Sequence, residues 1–111
     1  MKSTFQTRIQ KQSARIFLAL AFLITGCQSG PIPVEEYSLA RVALEAAREV
    51  QAPRHAPGYW HQAEEAYRKA RLLYKDQRWD EARVEFLKAR SAAEKAENAA
   101  RLIRQRTGDV L

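Results

Sequence analysis

Few side chains in this sequence have the types and spacing that catalysis or metal binding requires. His61 precedes Glu64 and Glu65 by three and four residues, which places the three side chains on one face of a helix. A useful metal site needs three or four ligands, and the sequence has no second pair of a histidine and an acid on another helix. We therefore interpret these residues as surface polar groups and expect no bound metal.

The remaining candidates for catalysis are hydroxyl groups and one other histidine. Ser29, Ser38 and Ser91 have no base near them in the sequence, and there is no glycine-rich loop that could hold a phosphate. His55 lies in a predicted loop, where we expect it to be exposed. The sequence thus favours a protein that is not an enzyme and that has no cofactor.

The single cysteine, Cys27, follows a segment with the features of a secretory signal. Residues 1–15 carry four bases and no acid, and nine apolar residues follow from Ile16 to Ile24. Nine helical residues span about 14 Å, well short of the hydrocarbon core of about 30 Å, so a transmembrane anchor is not expected. We predict a removed signal peptide over residues 1–26.

The residues Ile24, Thr25 and Gly26 before Cys27 resemble the lipobox of bacterial lipoproteins, in which the cysteine is lipidated and becomes the mature N-terminus. The alternative is a buried free cysteine. Lipid on Cys27 would anchor the protein to a membrane, since each buried CH₂ contributes about 0.8 kcal/mol. In Gram-negative lipoproteins an Asp after the cysteine favours the inner membrane. Gln28 stands there, so the resemblance implies the outer membrane, with the domain facing the periplasm.

The strong positive charge of the chain belongs largely to this signal. The full sequence has 19 bases and 13 acids, a net charge of +6, but four bases and no acid lie in residues 1–26. The mature part is therefore only +2. We find no run of like charge and no single face on which aromatic residues alternate with bases, so we expect no nucleic-acid partner.

The mature chain has the composition of one small helical domain on a tether. Residues 27–34 contain Gly30, Pro31 and Pro33 and are predicted to be a lipidated, extended tether. Residues 35–107 are rich in Ala, Glu, Arg, Lys and Leu, which favours helices, and residues 108–111 form a C-terminal tail. We predict an all-α fold.

Apolar residues recur at helical spacing in three segments, which predicts a small antiparallel three-helix domain. The predicted helices are Val34 to Gln51, Pro57 to Asp76 and Asp80 to Arg106. Proline disfavours helix in the residue before it, so Ala52-Pro53 should end the first helix. The buried stripe of the second helix should include Tyr59, Trp60, Ala63, Ala66, Tyr67, Ala70, Leu73 and Tyr74. The third helix carries a heptad seam of Trp79, Ala82, Phe86, Ala89, Ala93, Ala96, Ala100 and Ile103.

The hairpin from Ala66 to Arg90 resembles one tetratricopeptide repeat, with small residues at its crossing positions and Trp79 at the turn. Lys69 departs from that family, which usually has an apolar residue there. The wider pattern from Tyr37 through Ala96 resembles an uncharacterised family of short bacterial envelope lipoproteins. Some relatives carry a peptidoglycan-binding OmpA-type domain after this region, but the resemblance does not extend to such a domain and implies no binding by it.

These features favour a lipid-anchored module that binds or assembles with another envelope protein. The alternative is a structural lipoprotein that contacts peptidoglycan, which is suggested by the family resemblance and by Arg101, Arg104 and Arg106. The sequence also leaves open whether the protein forms a homo-oligomer. The sequence does not name the partner or the pathway.

The C-terminal part of the third helix is the candidate partner surface. The third helix should span roughly 40 Å and the second roughly 30 Å, so the third helix should pass the start of the second near Asn98. If the first helix and the following loop leave this part uncovered, it would be an apolar strip rimmed by positive charge. The residues of this candidate surface are Ala100, Arg101, Ile103, Arg104 and Arg106.

Overall fold

The computed structural model of the chain describes residues 8–13, 15–17 and 30–108. Residues 8–13 and 15–17 are helical. Residues 30–108 form a domain whose helices are α1 (Val34–Glu49), α2 (Ala52–His55), α3 (Pro57–Lys75) and α4 (Trp79–Thr107). The described residues contain no strand, and the prediction of an all-α fold is confirmed.

The predicted bounds of the two hairpin helices are each within one residue of those observed. Pro57 begins α3, where its missing N–H is not needed. Gly108 follows α4 with a φ of 68°, a left-handed conformation that glycine adopts without strain and that often ends a helix.

The prediction of a loop after the first helix is wrong. Helix α1 ends at Glu49, and Gln51 then takes a left-handed conformation with a φ of 61°, which redirects the chain. Residues Ala52–His55 form the short helix α2, with Pro53 in its first turn. His55 is consequently a half-buried helical residue, and the prediction of an exposed loop residue is wrong.

Helix α4 is the centre of the domain. Helices α1 and α3 both pack along it, whereas they contact each other little. Ala40 of α1 packs with the start of α4 and the end of α3, while Val50 packs with their opposite ends. Helix α1 is therefore parallel to α4 and antiparallel to α3.

The core divides into two clusters along α4. The first, which we call the aromatic cluster, is formed by Ala40, Ala70, Leu73, Ala82, Phe86 and Ala89, with Tyr37, Ala66, Tyr67 and Tyr74 packed against it. The second, which we call the alanine cluster, is formed by Ala43, Leu44, Ala47, Val50, Ala52, Ala56, Trp60, Ala63, Ala92, Ala93, Ala96 and Ala100, with Tyr67 and Ala99 packed against it.

The predicted seam of α4 is confirmed from Ala82 to Ala100, since every seam residue between these two is also fully buried. Trp79 and Ile103, at its ends, are half-buried. On α3 the prediction that Tyr59 belongs to the core is wrong, because 44% of this residue is exposed, whereas its neighbour Trp60 is buried.

Candidate functional site

Cys27, the lipobox residues before it and Ser29 lie outside the described residues, so the structure bears on the anchor only through the segment that follows. Pro33 is fully buried, and Arg83 donates a hydrogen bond of 2.7 Å from Nη2 to the carbonyl oxygen of Pro31. A Cβ on Gly30 would lie 2.5 Å from the carboxylate of Asp80. Residues 30–33 of the predicted tether therefore lie against the domain.

Arg83 holds residues 30–33 against the helices. Its Nε donates to Glu36 of α1 at 3.0 Å, and its Nη1 donates to Asp80 of α4 at 3.0 Å. The side chains of Arg83 and Glu36 are about three-quarters buried, which shields their ion pair from water. We call Arg83, Glu36, Asp80 and the Pro31 carbonyl the tether clamp. Sequence reasoning missed it, because Glu36 and Pro31 lie 47 and 52 residues from Arg83.

The candidate surface at the end of α4 is largely covered. Ala100 is fully buried in the alanine cluster, and only 9% of Arg104 is exposed. The cover comes from the end of α1 and from α2, which bring Val50 and Ala52 against this part of α4. The condition for an exposed apolar strip, that the first helix and the following segment leave it uncovered, is therefore not met at Ala100 and Arg104.

The other three residues of that surface do not form one continuous patch. Arg101 is exposed and donates a hydrogen bond to Glu97 one turn earlier, at 2.8 Å from Nη2. Arg106 is exposed and Ile103 is half-buried. Five residues separate Arg101 from Arg106, so they point about 140° apart around the helix.

A groove between α3 and α4 exposes apolar side chains that the core does not use. We call it the apolar groove; it is lined by Gln62, Ala66, Val84, Leu87, Lys88, Ser91, Ala92 and Lys95. About half of Val84 and half of Leu87 is exposed, and the amines of Lys88 and Lys95 carry positive charge at the rim. Towards the end of α4, Gln62 also lines a shallow depression with Tyr59 and Ile103. Ile103 is thus the one residue of the predicted surface that adjoins this groove.

A buried carboxylate lies beside the apolar groove. Glu85 accepts hydrogen bonds from Lys88 at 2.9 Å and from Lys69 at 3.1 Å, and its side chain is 10% exposed. The hydrogen bond from Lys88 lowers the pKa of Glu85; burial opposes this, and Lys69 reinforces it. Lys69, where the tetratricopeptide resemblance fails, therefore makes an ion pair across the hairpin. We interpret this group as structural.

A second groove, between α1 and α3, is basic. We call it the basic groove; its charged lining residues are Arg41, Glu45, Arg48, Glu64, Arg68, Arg71 and Lys75, and its other lining residues are Tyr37, Leu44, Tyr67, Leu72 and Tyr74. Residues 30–108 have 15 bases and 12 acids, a net charge of +3. The groove has five of these bases and two of the acids, which is also +3. The whole charge excess of the domain therefore lies in this groove.

Tyrosines form the inner wall of the basic groove. The ring of Tyr37 stacks 6.2 Å from Tyr67 and 5.7 Å from Tyr74, between centroids, and meets the edge of Phe86 at 5.2 Å. Burial, and then the hydrogen bond with Tyr37, raise the pKa of Tyr67, so its hydroxyl is neutral. The guanidinium carbon of Arg71 lies 5.9 Å from the centre of the Tyr67 ring, within the range of a cation–π contact.

This groove corrects the sequence analysis, which found no face combining aromatic residues with bases. Helix α3 alone places Tyr67, Arg71 and Tyr74 along the groove, and α1 adds Tyr37 and Arg41 from the other side.

The candidates for metal binding and catalysis remain apart. His61 and Glu65 are exposed, and Glu64 lines the basic groove. In the described parts of the chain, no three residues among His, Cys, Asp and Glu come close enough together to hold a metal ion. Ser38 hydrogen-bonds the Val34 carbonyl of its own helix. No helix within the described ranges is both long enough and apolar enough to span a bilayer.

Comparisons with known proteins add no further constraint: no protein-family model matches the chain, and the searches of curated proteins and of solved structures found no similar protein. The surfaces described above are the basis for inferring function.

Proposed function

We propose that this protein is a lipoprotein of the bacterial outer membrane, anchored through lipid on Cys27, whose helical domain faces the periplasm and binds another envelope protein. It acts by contact and not by catalysis. The anchor is supported by the signal-like segment and by the three residues before Cys27.

The observation that carries the proposal is the apolar groove between α3 and α4. Val84 and Leu87 expose about half of their surface on a domain whose core is already closed beneath them. They adjoin Ala66 and Ala92, so the apolar surface is continuous across two helices. Apolar surface of this kind, rimmed by charged side chains, is typical of protein contact sites.

Contact with peptidoglycan is the alternative function, and it has less support. It was suggested by Arg101, Arg104 and Arg106. Arg104 is buried and Arg101 is paired with Glu97, so these side chains do not present one cationic face. Cosedimentation of the purified protein with isolated sacculi tests this alternative directly, and retention there would favour it over a protein partner.

The proposal is tested by site-specific photo-crosslinking in intact cells. A photoreactive amino acid replaces Leu87 in one variant and Val42 in the other; Val42 is 60% exposed on α1, away from the apolar groove. We expect a discrete crosslinked protein from position 87 and none from position 42. Adding Val84→Lys to the position-87 variant should abolish the adduct, since a charge in the groove opposes docking.

The anchor is tested in the same cells by Cys27→Ser. Lipid transfer requires the thiol, so this variant should lose incorporation of a fatty-acid analogue and should lose most of the adduct at position 87. An analogue that still labels Cys27→Ser would contradict the lipoprotein assignment. Equal crosslinking from positions 42 and 87 would contradict the assignment of the apolar groove as the contact site. It would not affect the assignment of Cys27 as the lipid anchor.

A further inference from the structure

The basic groove has a charge distribution that the fold does not require. Its five cations are all exposed, and the aromatic cluster beneath them is closed by Phe86 and the tyrosines. Outside this groove, bases and acids in residues 30–108 are equal in number, at ten each. Arg41 makes an exposed ion pair with Glu45 at 3.7 Å from Nε. Exposed ion pairs contribute little to stability, so the local excess of bases over acids is better explained by a ligand of opposite charge.

The shape of the groove matches a helix. Helices α1 and α3 run antiparallel along its two sides and contact each other little, because each packs on α4 instead. The lining runs from Arg48 to Tyr37 on α1, eleven helical steps or about 16 Å. A partner helix of about three turns has that length and would lie in the groove, beside α1 and α3.

The side chains that line the basic groove indicate which kind of ligand it can bind. Tyr37, Leu44, Tyr67 and Leu72 offer apolar and ring surface along the groove, with arginines on both sides. The arginine fork binds carboxylates through two parallel hydrogen bonds. We propose that the basic groove binds an acidic amphipathic helix of a partner protein, with its apolar stripe on the tyrosines and its carboxylates on Arg41, Arg68 and Arg71. This face lies on the other side of α3 from the apolar groove and is a second contact site.

Three features favour a helix over a nucleic acid or a membrane surface. Glu45 and Glu64 interrupt the row of bases, whereas a regularly spaced phosphate backbone is best matched by continuous positive charge. The ring of Tyr37 stacks on those of Tyr67 and Tyr74, and Tyr67 makes an edge contact with Phe86, so these rings are not free platforms for nucleic-acid bases. Leu72 is 60% exposed, but the other apolar lining residues lie between the two helices, which suits a side-chain stripe rather than a flat lipid surface.

Binding is measured by fluorescence anisotropy, with the purified full chain in neutral detergent. The probe is a labelled synthetic helix of about 14 residues, four helical turns, with leucine on one stripe and glutamate on both flanks. A matched peptide has glutamine in place of every glutamate. We expect the acidic peptide to bind at least about tenfold more tightly than the glutamine peptide, with an affinity that falls as salt is raised.

The groove is located by a pair of matched variants. Arg68→Glu with Arg71→Glu should weaken binding of the acidic peptide by at least about tenfold, because each change replaces an attraction with a repulsion. Arg54→Glu with Arg106→Glu makes the same charge change at exposed sites outside the groove and should alter binding less than about threefold. Circular dichroism confirms that each variant is folded, and Arg68→Gln with Arg71→Gln replaces the reversal variant should that one unfold.

The proposal would be overturned by equal binding of the two peptides, by equal weakening by the two variant pairs, or by binding of phosphatidylglycerol vesicles without binding of the peptide. The last would assign the groove to the membrane. Leu87→Lys separates this site from the apolar groove, since it should leave peptide binding unchanged. Loss of binding in Leu87→Lys would place the peptide in the apolar groove instead.

Discussion

The two halves of the core are built on the same three helices by opposite means. In the aromatic cluster, Phe86 fills the space between α1, α3 and α4 and is ringed by Tyr37, Tyr67 and Tyr74. In the alanine cluster, Ala47 of α1 and Ala96 of α4 are fully buried, and side chains this small allow the helices to approach closely.

This difference means that different kinds of substitution destabilise the two halves. A core filled by large rings is weakened when a ring is removed, because a cavity remains. A core of small residues is weakened when a side chain is enlarged, because the helices must separate. The aromatic half also supplies the wall of the basic groove, so changes there affect a surface as well as the interior, whereas the alanine half is covered by α2.

The largest effect is expected in the aromatic half. Phe86→Ala should lower the free energy of unfolding by about 3–5 kcal/mol, because Phe86 is fully buried and its removal leaves a cavity between three helices. A small domain has only about 5–15 kcal/mol in total, so the thermal unfolding midpoint should fall by well over ten degrees or the transition should vanish. Leu87→Ala is the control, since about half of Leu87 is exposed. Equal shifts for the two variants would mean that the ring is not central to the core.

A smaller effect is expected in the alanine half. Ala96→Leu should lower the free energy of unfolding by about 1–3 kcal/mol, since the larger side chain has no space between α1 and α4. Urea unfolding measures the change. Asn98→Leu, at an exposed position of the same helix, should have little effect. An unchanged or raised midpoint for Ala96→Leu would show that this half is loosely packed, and the contrast between the halves would fail.

The smallest effect is a pH dependence at Glu85, which precedes Phe86. Its folded pKa lies below the ordinary glutamate value of 4.5, so the unfolded chain binds its proton more readily and stability rises with pH in this range. The contribution of Glu85 is fully present above pH 4.5 and is lost as the pH falls through the lower folded value. Urea unfolding of the native protein and of Glu85→Gln should therefore converge as the medium becomes acidic.

Removing the two lysines tests whether their hydrogen bonds cause this pH effect. Lys69→Met with Lys88→Met removes both hydrogen-bond donors of Glu85 and should abolish or reverse this pH dependence, because burial alone raises the pKa of Glu85. A dependence that persists in the double variant would assign it to another group.

Most of the fold could be predicted, because it follows from local rules. The heptad seam placed Ala82 to Ala100 on the buried face of α4, and Pro57 marked the start of α3. The rule that failed was also local: the residue before a proline disfavours helix, yet Ala52 begins α2. Ala52 is fully buried in the alanine cluster, and this tertiary packing outweighs the local preference.

The candidate surfaces were less predictable, because they depend on how helices are placed relative to one another. The length argument correctly made α4 longer than α3, but it could not show that α2 would turn back over Ala100. The basic groove has Arg41 on α1 and Arg71 on α3, thirty residues apart in the sequence. Helical periodicity identifies the buried stripe of each helix, but not which two exposed faces will meet.

The tether clamp gives the proposed anchor a very short reach. Because Arg83 holds the Pro31 carbonyl, only four residue steps separate the clamped position from Cys27, and each spans at most about 3.6 Å. With lipid on Cys27, this end of the domain stays within about 14 Å of the bilayer. Because α4 has 29 residues and is about 43 Å long, the whole domain stays in a layer of about 60 Å above the lipid. A partner must enter that layer to be bound, and membrane-attached proteins that share it are met at a high effective concentration.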